Sequence, residues 1–243
     1  MISKSKIKYI NSLKLKKNRM LHQVFVAESN KVVLELLSST YNVIELFATS
    51  NWISRNEIND KILVHEVSCK EMERISNLKT ASEVLVLVRI PLNNDKINFS
   101  GVNIMLDDVK DPGNLGTIIR LCDWFGVANI FCSRETVDAY NNKVVQSSMG
   151  SISRVKIRYL DLQEFISVIP SDIVIYLTDV RGKDINNTEL SKNSIIIFGN
   201  ESRGVSSKLN NLIDNKVGIR SIGEMESLNV AISAAIILHR VCS

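Results

Sequence analysis

Short apolar runs rich in β-branched residues alternate with helical patterns along almost the whole of this 243-residue chain. That alternation argues for an α/β protein with mainly parallel sheets, because repeated strand–helix units bury their apolar faces as crossovers. In the first part, strands are expected at 24–27, 43–49, 62–67 and 83–90, with helices at 31–37 and 70–78. The polar stretch "PLNNDKINFSG" at 91–101 opens with one of only three prolines and reads as a linker, which places a cut near residue 95. The second part reads as strand 102–109, helix 114–125, strand 128–133, helical segment 141–149, strand 154–159 and helix 161–169. It continues with strands 172–179 and 194–198, helix 206–213, strand 216–220 and a final helix 227–241. That last helix, "SLNVAISAAIILHRV", is apolar almost all round, which calls for burial against the sheet or a partner subunit.

Composition excludes several classes. No apolar run approaches the ~20 residues of a membrane span, and the basic N-terminus is followed by no apolar signal segment. Cys69, Cys122, Cys132 and Cys242 show no C-x-x-C spacing, and His22, His65 and His239 are equally dispersed. Neither a metal site nor a disulfide framework is expected, and a reducing cytoplasm is the expected location. The net charge of +4 is unevenly placed: the first twenty residues hold Lys4, Lys6, Lys8, Lys14, Lys16, Lys17 and Arg19 and no acid. A basic arm on a near-neutral body is a footprint for a polyanion. The same segment also suits a docked helix, with Ile7, Ile10 and Leu13 as its inner stripe.

Three strand ends in the second part lead through polar, asparagine-containing turns into helices: "MLDDVKDPGNLGTIIRLCDWFGV" at 105–127, "IIIFGNESRGVS" at 195–206 and "IRSIGEMESLNVAISAAI" at 219–236. Ligands of open α/β sheets bind outside the carboxyl ends of strands, so these turns are expected to build a single pocket. Gly199 and Gly204 have the glycine spacing of a P-loop, but Val205 stands where its lysine belongs and Glu201 would repel a triphosphate. No G-x-G-x-x-G dinucleotide fingerprint occurs.

The runs "DPGNLGTIIR", "FGNESRGV" and "SLNVAISAAI", in that order and spacing, resemble the three motifs of the SpoU (TrmH-type) RNA ribose 2′-O-methyltransferases. "KIKYINSLKLKKNR" and "VFVAESNKVVLELL" resemble their N-terminal substrate-binding domain, so the likeness covers nearly the whole chain. The resemblance implies a smaller α/β RNA-binding domain over 1–95 and a knotted (trefoil) α/β methyltransferase domain over 96–243. It implies S-adenosylmethionine as cofactor, contacted by Gly199, Ile219 and Leu228, and a homodimer formed through the knot domain. Two positions depart from the family, which usually has glycine where Ser202 and Ser29 stand. A positive φ at Ser202 would carry strain.

By the same resemblance Arg120, Asn114, Glu201 and Asn229 form the catalytic group, with Arg120 near the acceptor 2′-hydroxyl. Arginine is always protonated and makes a poor base, so binding of the adjacent phosphate and stabilisation of a developing alkoxide are expected of it. Each residue also has a plainer role open to it: Arg120 as a solvated side chain, Asn114 as a helix cap, Glu201 as an acid at a helix N-terminus. Ser227 is a candidate N-cap of the last helix, and Arg203 a candidate phosphate contact. The implied reaction is methyl transfer to a ribose 2′-hydroxyl, in ribosomal RNA first and transfer RNA second. A non-catalytic RNA-binding or ribosome-assembly protein of the same fold is the alternative.

Overall fold

The structure is a computed structural model and describes residues 1–92 and 95–243. Asn93 and Asn94, inside the stretch read as linker, lie outside the described residues. The chain divides into two compact units, one of Met1–Leu92 with Asp138–Ser153, the other of the described residues of Asn93–Val137 with Arg154–Ser243.

The first unit opens with helices α1 (Lys4–Ser12) and α2 (Lys16–His22), followed by β1 (Val24–Glu28), α3 (Asn30–Leu37), β2 (Val43–Ala48) and α4 (Ser50–Ile53). β3 (Leu63–Glu66), α5 (Cys69–Ile75) and β4 (Val84–Arg89) complete this stretch. The strands form a sheet in the order β1-β4-β2-β3. It is mixed, not parallel: β4 enters between β1 and β2 and runs antiparallel to both. Only β2 and β3 are parallel. Strand–helix alternation does not fix the direction in which a strand enters a sheet, and "VLVLV" is buried on both faces in either sense.

The inner stripe of α1 is as expected. Ile7, Ile10 and Leu13 pack with Val24 and Val26 of β1, Met72 and Ile75 of α5, and Leu85 and Leu87 of β4. Ser3 caps α1 by accepting from the Lys6 amide, and a reciprocal Ser68–Glu71 capping box starts α5. Two cations of the basic arm are not available to a polyanion. Lys6 pairs with Glu45 at 2.8 Å, and Arg19 is 2% exposed. The Arg19 guanidinium donates to Asp138 Oδ2 from Nη2 at 2.6 Å and from Nε at 2.9 Å, and to the carbonyls of Leu13 and Lys14. A buried guanidinium must be paired this fully.

The second unit carries β5 (Val102–Leu106), α6 (Pro112–Phe125) and β6 (Asn129–Cys132). Between β6 and the next strand the chain leaves for the first unit, where α7 (Asn142–Ser147) contacts β1. It returns as β7 (Lys156–Tyr159), α8 (Leu162–Ile166), β8 (Val174–Asp184), β9 (Ser194–Phe198), α9 (Ser207–Asn210), β10 (Lys216–Gly218) and α10 (Val230–Cys242). All strand pairs are parallel, in the order β10-β8-β9-β5-β6-β7. Successive strands proceed from β5 to β7 in one direction, and β8 then starts afresh on the other side of β9. The topological switch therefore falls between β5 and β9, where such sheets open a crevice at their carboxyl ends.

β8 and β10 approach so closely that a Cβ on Gly182 would lie 2.5 Å from the carbonyl carbon of Val217, and one on Gly218 2.3 Å from the carbonyl oxygen of Asp179. The four cysteines are free; burial pushes the thiols of Cys122 and Cys132 well up. Among the described residues no helix is long and apolar enough to cross a membrane.

Of the two serines that stand in place of glycine, Ser29 is the strained one. It has φ +78°, whereas Ser202 is not among the residues with positive φ. Such a conformation costs a side-chain-bearing residue about 1–3 kcal/mol. Ser29→Gly is expected to raise stability by about 1 kcal/mol after allowing for the freer unfolded chain, measured by urea unfolding. An unchanged or lower stability would show that the strain is offset locally.

Candidate active site

α6 begins where "DDVKDPGN" leaves β5. Asp111 is its N-cap, accepting from the Asn114 amide at 2.9 Å, and Pro112 takes the first turn, where no backbone donor is needed. Capping by Asp111 releases the Asn114 side chain from that role. Its Nδ2 donates to Glu201 Oε1 at 2.8 Å, and its Oδ1 accepts from Asn229 Nδ2 at 3.0 Å.

Glu201 lies in the turn after β9. Asn200 and Gly204 close that turn with two reciprocal backbone hydrogen bonds of 2.9 Å. Asn200 Oδ1 accepts from the amides of Ser202 and Arg203, and its Nδ2 donates to the Asp108 carbonyl. The closure leaves no room at Gly199, where a Cβ would come 2.2 Å from the backbone of Gly204 and Val205. Gly204 has φ +67°, a conformation that side chains disfavour. Asp108, at φ +61°, also takes the Arg203 guanidinium and, at 2.5 Å, the Lys110 ammonium. Asn200 and Asp108 thus build the site although the sequence reading did not single them out. The available signal was local: Asn and Asp both fold back on backbone in turns and tolerate positive φ.

Asn229 is the N-cap of α10, its Oδ1 accepting from the amides of Ala231 and Ile232. This corrects the expectation for Ser227, which lies outside the helix because α10 starts later than residue 227. The helix is also not buried all round: Val230, Ala231, Ala234, Ile237, Leu238 and Val241 are buried, and the helix packs on α6, while Ile232 and Ile236 are exposed.

Three of the four residues expected to act together are joined in one hydrogen-bonded chain, Asn229–Asn114–Glu201, at the switch between β5 and β9. Arg120 does not join it. Six positions along α6 from Asn114, it faces about 120° away around the helix, is exposed, and has no hydrogen-bond or ion-pair partner among the described residues. Gly199 and Ile219 directly follow β9 and β10, and Leu228 precedes α10 in an exposed segment. Among the described residues no group of three or more His, Cys, Asp or Glu could hold a metal ion.

A six-stranded parallel sheet with polar turns gathered at its switch point is the arrangement of an α/β ligand-binding fold. The chain belongs to the SpoU rRNA Methylase family, which matches residues 101–239, and residues 4–86 match the MRM3-like substrate binding domain. It is 26% identical over 238 residues to the 23S rRNA (guanosine(2553)-2′-O)-methyltransferase RlmP of Bacillus subtilis, covering 97% of this chain and 95% of that one. A TrmH-family protein from Porphyromonas gingivalis superposes with a TM-score of 0.90 at 30% identity, over 99% of this chain and 98% of that one. An rRNA methyltransferase from Sinorhizobium meliloti, solved with AdoMet (S-adenosylmethionine) bound, gives 0.88 at 26% identity, over 99% and 96%.

The cap at Asn229 has a direct consequence. Asn229→Ala removes the acceptor for two α10 amides and is expected to cost about 1 kcal/mol in urea unfolding. Asn229→Asp keeps the acceptor and should recover most of that loss; equal stability of all three proteins would remove the capping role.

Proposed function

We propose that this protein methylates a ribose 2′-hydroxyl in RNA, with S-adenosylmethionine as donor and ribosomal RNA as the substrate class. The observation that carries the reading is the Asn229–Asn114–Glu201 chain at the switch point, in a member of the SpoU family. Support for ribosomal RNA comes from the family and from the name of the Bacillus subtilis relative.

S-adenosylmethionine, when bound, supplies an electrophilic methyl group on a cationic sulfur. The turn after β9 suits a cation: it offers the Glu201 carboxylate, and its own cation, Arg203, is paired with Asp108. Gly199, Ile219 and Leu228 are the residues that would hold the adenosyl part. Asn229 donates to Asn114, which fixes the Asn114 amide so that its N–H donates to Glu201, keeping Oε1 occupied and the carboxylate oriented. Glu201 Oε2 has no hydrogen bond among the described residues and is free to receive the 2′-hydroxyl proton. Because a carboxylate is a weak base toward an alcohol, Glu201 would take that proton late, once the hydroxyl oxygen has become more acidic. Arg120, unpaired and exposed, would bind the neighbouring phosphate bidentately and stabilise the developing negative charge.

The reading extends to the assembly. Exposed Ile232 and Ile236 on α10, with Trp124 at 83% exposure on α6, support a homodimer through the second unit. The trefoil knot implied by the resemblance would run through the segment where Gly182 and Gly218 permit backbone to pass close to backbone. Residues 1–95 would supply the RNA-binding domain, whose phosphate contacts give position and whose shape gives selectivity.

Transfer of labelled methyl to separated, unmodified ribosomal and transfer RNA pools tests the proposal. Label is expected in ribosomal RNA, in an alkali-resistant dinucleotide. Label confined to transfer RNA would overturn the substrate class, and no transfer to either pool together with no binding of S-adenosylmethionine would favour a non-catalytic RNA-binding role. Arg120→Lys should lower the transfer rate by about 10²-fold; retention of most of the activity would remove the bidentate phosphate contact.

A further inference from the structure

A cavity of about 520 Å³ lies wholly within the first unit. Its walls include Lys14 after α1, Glu28 at the end of β1, Asn77 and Lys79 after α5, and Asn142 and Lys143 of α7. That size is within the usual range of small-ligand sites. Its charge and hydrogen-bonding groups are segregated. The three lysines are exposed, whereas Glu28 is 5% exposed.

The inner groups are acceptors. Glu28 receives Ser76 Oγ at 2.5 Å, the Asn77 amide at 2.8 Å and Asn77 Nδ2 at 2.9 Å. A carboxylate has about four lone-pair sites, so one remains. Asn77 Nδ2 is committed to Glu28, which fixes Asn77 Oδ1 as the free end of that amide. Asn77 Oδ1 and Asn142 Oδ1 are both buried atoms with no hydrogen-bond partner among the described residues. Buried polar atoms are nearly always satisfied, so two orphaned acceptors on residues that line one cavity point to a ligand that brings donors as it enters.

Unpaired RNA bases offer such donors on their Watson–Crick edges. Guanine presents adjacent N1–H and N2–H₂ donors there. Adenine and cytosine each set one amino group beside a ring acceptor, and uracil has a single N–H between two carbonyls. We propose that this cavity receives one unpaired guanine nucleotide of the RNA substrate, with Glu28, Asn77 and Asn142 reading the base and Lys14 and Lys79 on the rim holding its phosphates. The proposal rests on the reading that this protein binds RNA, and it adds a base that is recognised apart from the methylated ribose.

The test uses the full chain and short uridine-run oligoribonucleotides that differ only in a central G, A, C or U, with binding followed by fluorescence anisotropy. The G oligomer is expected to bind about tenfold more tightly than the others. The preference should largely vanish in Asn77→Ala and in Asn142→Ala, while S-adenosylmethionine binding is kept in both and the melting temperature of Asn142→Ala stays at the wild-type value. Equal binding of the four oligomers, or a preference that survives both substitutions, would overturn the assignment. Guanosine 5′-monophosphate competing as well as the G oligomer would also overturn it, by making the cavity a free-nucleotide site. If Asn77→Ala fails to fold, Asn142→Ala carries the comparison, since its oxygen supports no other group among the described residues. Ribosomal RNA methylated without any guanine preference would sink this inference alone, whereas no binding to any RNA would sink the methyltransferase reading with it.

Discussion

The side-chain amide of Asn114 has a fixed sense because its nitrogen donates to Glu201 and its oxygen accepts from Asn229. An asparagine free to rotate would present donor and acceptor interchangeably, and neither neighbour would be held. Asp111 makes this possible by taking the capping duty at the start of α6. The Asn229 side chain has a double task, capping α10 with its oxygen and reaching Asn114 with its nitrogen. One primary amide therefore ties together the three turns that follow β5, β9 and β10, and the backbone around it is built to keep those turns in place.

The closed loop after β9 shows the same logic in backbone terms. Asn200 and Gly204 bond to each other, and Asn200 also anchors the loop to Asp108 beyond β5. Gly199 cannot carry a side chain because the returning backbone of Gly204 and Val205 occupies that space. What looked in the sequence like the glycine spacing of a phosphate loop is thus a self-bonded turn whose glycines serve its own closure. The carboxylate it displays is consistent with that difference.

Much of this was legible in the sequence for a physical reason: a strand or helix buried on one side must repeat its apolar residues at a fixed period. The strand positions of the second unit and the α1 stripe of Ile7, Ile10 and Leu13 followed from that repetition. The mixed sheet of the first unit did not, since a doubly buried strand reads alike in either direction. Arg19 was also misread, because its partner Asp138 lies more than a hundred residues away and a local charge count cannot find it. Asn114, Glu201 and Asn229, grouped together by family resemblance, are bonded neighbours in the structure. Arg120 was named with them, but a spacing of six residues on a helix leads to a different face.

The passage of Asp138–Ser153 into the first unit has a bearing on how the chain is made. Synthesis runs from the N-terminus, and domains generally fold as they emerge. Here the earlier unit is unfinished when its own strands have appeared, for Arg19 waits for Asp138 and β1 waits for α7. By then β5, α6 and β6 have already been synthesised. The nascent chain must hold part of its second sheet in waiting while it completes its first, so the two units mature together and neither corresponds to a single continuous stretch of message.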